Sequence, residues 1–309
     1  MTRSVAIIAN RRCEQGRNAQ RIRNIADALA GAGVAVSVSF TESSLEGTNA
    51  ACDYSKTVNL IVAVGGDGTV NSVVQGMIDG TAALAIAAAG TGNDAARSLG
   101  HPHLRHDSIV PWILGALVPE GGAHPAHDPR AIDVGRAEFG DGSTCLFLTV
   151  LSTGFDTLVN QRAHMLRRIP GAIRYILSTL VELPRCIPYT YVIKDSRERI
   201  ETSALLVAVG NSGVYGRGMR ICPKASVIDG ELDVTIIGAV SRRILVRLFP
   251  LVFSGRHMSD SRVIGLRSSS VTISGPSFVC YADGERMGPL PATISVLPRS
   301  LRVVPACAV

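Results

Sequence analysis

Apolar positions first gather in short, nearly continuous runs at residues 5–9, 34–40, 60–64 and 84–89, separated by polar and glycine-containing segments. Runs of that length predict buried strands, and Ile22, Ile25, Ala26 and Leu29 recur at helical spacing between the first two. The βαβα alternation predicts a parallel α/β sheet in the N-terminal part of the chain. Residues 101–131 are rich in His, Pro and Gly around a short predicted helix near 108–118, and they form a natural boundary.

Beyond Ala131 the runs shorten and are bounded by glycine turns, at 145–151, 189–194, 204–209, 232–237, 271–273 and 294–297. That texture predicts an antiparallel sandwich. Helical stretches at 163–183 and 241–253 interrupt it. The first mixes Met165, Leu166, Ile169, Ile173, Ile176, Leu177 and Leu180 with Arg162, Arg167, Arg168 and Arg174; the second carries Arg242, Arg243 and Arg247. Such helices either cap a sheet or lie on an anionic membrane.

A chain of 309 residues exceeds what one small core organises, so two domains are expected. No apolar run approaches the ~20 residues of a membrane span. The N-terminus enters a strand without a signal-peptide pattern, which predicts a cytoplasmic protein. Seven cysteines (13, 52, 145, 186, 222, 280 and 307) include no C-x-x-C pair, so neither zinc nor a disulfide framework is indicated. His101, His103, His106, His124, His127 and Asp128 lack metal-ligand spacing. The +6 charge, carried by arginine because the only lysines are Lys56, Lys194 and Lys224, suits anionic partners: nucleotides, nucleic acid or an anionic membrane.

The candidate chemistry lies at two strand ends. Gly65-Gly66-Asp67-Gly68-Thr69-Val70-Asn71 follows one apolar run, and Gly90-Thr91-Gly92-Asn93-Asp94 follows the next. Glycines at 65, 66 and 68 permit positive φ and bring backbone N–H groups to an anion, with a helix N-terminus behind them. A plain strand-to-helix turn would also fit the first loop taken alone, but two such loops at neighbouring strand ends would share one crevice. Asp67 among donors is anomalous unless it faces Mg²⁺ or takes a proton from a hydroxyl. A Walker loop is excluded because no lysine follows either loop, and Asn71 stands where a dinucleotide fingerprint needs glycine.

These motifs, with Pro223-Lys224-Ala225, Asp229-Gly230-Glu231-Leu232-Asp233, Asp283-Gly284-Glu285 and Ser152-Thr153-Gly154-Phe155-Asp156, resemble the bacterial soluble diacylglycerol kinase and lipid kinase family, whose catalytic domain is shared with sphingosine and ceramide kinases. The middle segment resembles actinobacterial members. The resemblance implies an α/β plus all-β chain: a Rossmann-like, NAD kinase-like domain at 1–130, to which 291–309 would return, and a β-sandwich lipid-substrate domain at 131–290, with the active site in the cleft between them. It implies that residues 65–71, with Thr91, Gly92, Asn93 and Asp94, hold ATP phosphates, and that Asn10 and Thr41 touch the nucleotide. Glu285 would accept the proton of the lipid hydroxyl with Asp283 in support, and Asp67 would act through Mg²⁺ and water. A structural Mg²⁺ would sit at Asp229, with backbone oxygens of Ser226 and Glu231.

The implied partner is a lipid at an anionic membrane surface, on the inner face, rather than nucleic acid. The oligomeric state is open, a homodimer being one option. Two departures stand out: Asn10-Arg11-Arg12-Cys13-Glu14-Gln15-Gly16 lacks the family's N-P-x-S-G loop, and Ser72 replaces a frequent glutamate. An NAD kinase, which shares the GGDG loop, and a lipid-binding regulator without catalysis are the alternative functions. Asp229-Gly230 and Asp283-Gly284 also fit plain hairpin turns.

Overall fold

A computed structural model describes residues 3–13, 16–117, 128–166 and 171–307. The chain divides into two compact units, residues 1–132 with 299–309, and residues 133–298.

The first unit alternates β1 (Ser4–Asn10), α1 (Gly16–Gly31), β2 (Ala35–Thr41), α2 (Ser44–Ser55), β3 (Leu60–Gly65), α3 (Asp67–Met77) and β4 (Ala83–Ala88), followed by α4 (Asp94–Leu99) and α5 (Ile109–Ala116). The strands are parallel in the order β2-β1-β3-β4. Every residue of β3 and β4 is buried, so these strands read as unbroken apolar runs. Helix α1 turns Ala19, Ile22, Ile25 and Leu29 into the core, the face its spacing predicts. Buried His101 ties this unit together: its Nδ1 accepts from the Ile86 N–H at 3.1 Å, and its Nε2 lies 2.7 Å from the Val304 carbonyl. Trp112 packs edge-on against that ring and donates to the Pro305 carbonyl at 2.9 Å. His101 therefore has a structural place, while His124 and His127 lie outside the described residues.

The second unit holds most of β5 (Arg130–Phe139), then β6 (Thr144–Phe147), β7 (Val150–Gly154), α6 (Phe155–Met165), α7 (Gly171–Glu182), β8 (Tyr189–Lys194), β9 (Arg199–Gly210), β10 (Leu232–Gly238), α8 (Arg242–Ser254), β11 (Val263–Ser268), β12 (Ser270–Ser274), β13 (Val279–Ala282), β14 (Glu285–Pro289) and β15 (Ala292–Val303), whose last residues belong to the first unit. Its strand pairs are antiparallel, and β9 organises them. Its first half pairs with β8, and its second half with both β7 and β10. Phe147, Tyr191, Val207, Val234 and Ile273 fill the core. This is the expected combination of an α/β part and a β-sandwich part.

Two elements differ from the sequence expectation. The run 145–151 is two strands, broken at Leu148 and Thr149, whose N–H groups turn to a distant carboxylate described below. The helical stretch 163–183 is two helices, α6 starting earlier at Phe155 and α7 ending at Glu182; residues 167–170, with Arg167, Arg168 and Ile169, and the side chains of Ile173, Arg174 and Ile176 lie outside what is described.

Candidate active site

The parallel sheet brings the predicted nucleotide residues to one edge. Asn10 and Thr41 are register partners at the ends of β1 and β2, and Gly65 is the partner of Ala88 at the ends of β3 and β4. The carboxyl ends of such strands are where open α/β sheets bind ligands. Asn10 Oδ1 accepts from the Arg12 N–H at 3.0 Å, which shapes the loop that lacks the N-P-x-S-G pattern. Thr41 is buried, its hydroxyl donating to the Ala9 carbonyl at 3.4 Å.

Only Gly66 lies between strand and helix, because Gly65 ends β3 while α3 starts at Asp67 and takes Gly68, Thr69, Val70 and Asn71 into its first turns. The expectation of positive φ at Gly65, Gly66 and Gly68 is corrected: Gly66 has φ −96°, and neither of the others is among the positive-φ residues. Close approach is what requires glycine here. A Cβ on Gly66 would lie 3.2 Å from the Gly90 Cα, and one on Gly90 would overlap Gly66, so the two loops touch backbone to backbone. Gly66 caps α3 without a side chain, leaving the first-turn N–H groups of this 11-residue helix to an anion rather than to a capping oxygen.

Asp67 joins the loops. Its Oδ2 accepts from the Asn93 N–H at 2.7 Å and its Oδ1 from the Ala95 N–H at 3.2 Å. Asn93, in the left-handed region at φ 59°, closes its own loop by exchanging two 3.0 Å hydrogen bonds with Gly90. A carboxylate is accommodated in the first glycine loop because the second loop supplies it with donors of its own. Gly92 faces it, Thr91 is exposed, and buried Asp94 pairs with Arg97 at 2.6 Å. Ser72 is also explained: it is buried against Gly47 of α2 and donates to the Thr69 carbonyl at 2.9 Å, a space too small for glutamate.

In the second unit Asp283 (φ 51°) and Gly284 (φ 79°) form the two-residue turn between β13 and β14, with φ positive at both central positions as a type I′ hairpin requires. The turn also gives the Asp283 side chain a structural task. The Asp283 carboxylate accepts from the Leu148 N–H at 3.0 Å, the Thr149 N–H at 2.9 Å and the Thr149 hydroxyl at 2.5 Å, anchoring the hairpin at the break between β6 and β7. Glu285, opposite Ala282 at the start of β14, is exposed. Burial raises the pKa of nearby Tyr281; Arg286 works against that rise, while Asp156 and Glu285 add to it.

Asp156 was not among the predicted site residues. It is 4% exposed near the start of α6, accepts from the Ser152 hydroxyl and from Asn160 Nδ2 at 2.9 Å, and lines an apolar pocket. Its signal in the sequence was an acid two residues past the end of the Val150–Gly154 strand. The pocket is a cavity of about 130 Å³ that opens to solvent, with walls that include Phe155, Leu183, Leu206, Ile221, Leu248 and Val252. An apolar space with one carboxylate at its wall suits an aliphatic ligand carrying a hydroxyl.

The carboxylate expected to hold a structural Mg²⁺ is already engaged. Asp229 Oδ1 accepts from the Glu231 N–H at 3.1 Å, and its Oδ2 is ion-paired with Arg267, whose guanidinium also reaches Glu231 and Asp233, each at 3.2 Å. A resident cation thus already neutralises the carboxylate meant for the metal. Ser226 and Glu231 lie in the same loop, and among the described residues no group of three or more His, Cys, Asp or Glu could hold a metal. The Cys145, Cys222 and Cys280 thiols are pushed up to about 12, first by burial, which keeps them protonated.

Comparison with known proteins agrees with this fold. Residues 4–118 match the diacylglycerol kinase catalytic domain, and residues 149–305 the YegS C-terminal NAD kinase beta sandwich-like domain. A diacylglycerol kinase of Mycobacterium tuberculosis (strain CDC 1551 / Oshkosh) is 37% identical over 255 residues, 82% of this chain and 79% of that protein. The "Probable lipid kinase YegS" of Salmonella paratyphi A is 29% identical over 79% of this chain and 77% of its own length. A crystal structure from Bacillus anthracis str. Sterne shares the fold with a TM-score of 0.78 at 23% identity, covering 97% of this chain and 96% of that one. Another from that strain, of a diacylglycerol kinase, gives 0.71 at 19%, with the same coverage.

Proposed function

The chain belongs to the bacterial diacylglycerol kinase and YegS-type lipid kinase family and is an ATP-dependent lipid kinase; from that premise we propose that its acceptor is the free hydroxyl of diacylglycerol, phosphorylated to phosphatidic acid at a membrane surface. The observation that carries the choice of acceptor is the apolar pocket with Asp156 at its wall, which suits acyl chains and suits NAD poorly. The identity to the mycobacterial enzyme supports the same choice.

The reaction asks for positioning and charge neutralisation. The uncapped N–H groups of α3 would hold the triphosphate, Asn10, Thr41 and Thr91 would border the nucleotide, and Asp67 keeps both glycine loops in one arrangement. Neither loop has a lysine, so Mg²⁺ held through water at Asp67 is the cation this donor set accommodates. Bound there, it would neutralise charge on the transferred phosphoryl group. Asp156 would orient the acceptor hydroxyl, Glu285 would take its proton, and Asp283 sets Glu285 by fixing the hairpin it leaves.

Labelled γ-phosphate from ATP, offered with Mg²⁺ to diacylglycerol, ceramide, sphingosine, phosphatidylglycerol and NAD, tests the reading. Labelled phosphatidic acid that disappears in Glu285→Gln is the expected result. Label in another lipid alone would replace the acceptor, label in NAD alone would move the activity to a nucleotide kinase, and no label in any acceptor would favour a regulator without catalysis.

A further inference from the structure

Over its described side chains, from Leu177 on, helix α7 is inverted relative to an ordinary surface helix. It buries Ser178, Thr179 and Glu182 and exposes Leu177, Leu180 and Val181, with Leu180 60% exposed. Helix α8 buries Leu245, Leu248 and Val252 yet still presents Val246 (52%) and Phe253 (48%) outward, along with Leu251. Exposed apolar side chains gathered on two helices mark an interaction surface.

Charge identifies what it meets. Helix α8 contributes exposed Arg242, Arg243 and Arg247 and contains no acidic residue. The one acid of α7, Glu182, is buried in an ion pair with Arg162, with Arg185 at 3.4 Å. The surface is therefore apolar and cationic, the composition of helices that lie in the headgroup boundary of an anionic bilayer. A second copy of this chain suits it less, because a twofold interface would set these arginines against their own equivalents. No helix among the described residues is long and apolar enough to cross a membrane, so the contact would be along the surface.

Building on the lipid kinase reading, we propose that the exposed faces of α7 and α8 dock the enzyme on an anionic phospholipid surface. Leu177, Val181, Leu251 and Phe253 enter the headgroup boundary, and Arg243 and Arg247 engage lipid phosphates. Both helices also wall the apolar pocket, through Leu180 of α7 and Val246 of α8 among others, so acyl chains would pass from bilayer to pocket without crossing water.

Co-sedimentation of the full chain with phosphatidylglycerol-containing vesicles and with pure phosphatidylcholine vesicles tests this, using Arg243→Gln/Arg247→Gln and Leu177→Ser/Val181→Ser/Leu251→Ser. The wild type should bind the anionic vesicles and lose binding as salt rises; the arginine variant should weaken by about fivefold per charge removed. The serine variant should bind weakly at any salt. Both should keep wild-type turnover on a water-soluble short-chain diacylglycerol, which separates failed docking from failed folding. If the wild type binds vesicles but phosphorylates no lipid, docking stands and the acceptor assignment falls. Equal recovery with both vesicle types, wild-type binding by both variants, or a solution dimer that the serine variant dissociates without change in vesicle binding would each overturn the proposal.

Discussion

The carboxylate of Asp67, on the first glycine loop, receives the backbone N–H of Asn93, on the second, at 2.7 Å. Because the Ala95 N–H joins it, one side chain fixes the spacing of the two glycine loops. Asp67→Asn replaces one acceptor oxygen with an NH₂ that faces a donor, so it should lower stability by about 2 kcal/mol and raise the KM for ATP. Thermal melting and initial rates check this. An unchanged melting temperature with lost turnover would assign Asp67 to the reaction alone.

Asp283 and Glu285 are two residues apart and should fail differently. Glu285 is exposed, so Glu285→Gln should fold normally and lose about 10²–10⁴ in kcat. Asp283 takes three hydrogen bonds at the β6–β7 break, so Asp283→Asn should cost about 2 kcal/mol of stability along with activity. Chemical denaturation of both variants beside their kinetics separates the roles.

Arg267 is expected to replace a metal in holding the loop before β10. A chelator should therefore leave the wild-type melting temperature unchanged, and Arg267→Gln should lower stability by about 1 kcal/mol. The diagnostic result is that Mg²⁺ stabilises the variant alone, since Asp229, Glu231 and Asp233 then lack their cation. Equal Mg²⁺ stabilisation of the wild type would restore the metal site.

Burial lowers the His101 pKa to about 4, outweighing the opposing effect of its bond to Val304. Between the ordinary value of 6.5 and about 4 the unfolded chain takes up a proton that the folded chain refuses, so stability is whole above 6.5 and falls as the pH drops through that window. The loss attributable to this residue is on the order of 3 kcal/mol. Comparing wild type and His101→Gln by urea denaturation across that range should show a shallower acid loss in the variant, and parallel curves would remove His101 as the cause.

The parallel strands were legible because β3 and β4 are buried throughout and need no tertiary information to read as apolar runs. The two glycine loops were legible as a pair, but the reason for their glycines was not: contact between Gly66 and Gly90 is a relation across sequence, whereas positive φ is local. The same holds for Asp67, Asp283 and Arg267, each defined by partners 26 to 135 positions away. The break at Leu148 escaped notice because apolar residues continue through it while its N–H groups leave the ladder. Helix α7 stood open in sequence between a sheet cap and a membrane surface, since periodicity reveals that a face is apolar but not which way that face turns.

Strand β15 crosses the division between the units: residues up to 298 belong to the second, and residues 299–309 to the first. Val303 extends the parallel sheet beside Leu84, Val304 receives His101, and Pro305 receives Trp112. During synthesis the first unit thus waits, on the order of ten seconds or more, for its closing strand until the whole second unit has been translated. The two units are bound into one order of assembly in which the half emerging first is completed last.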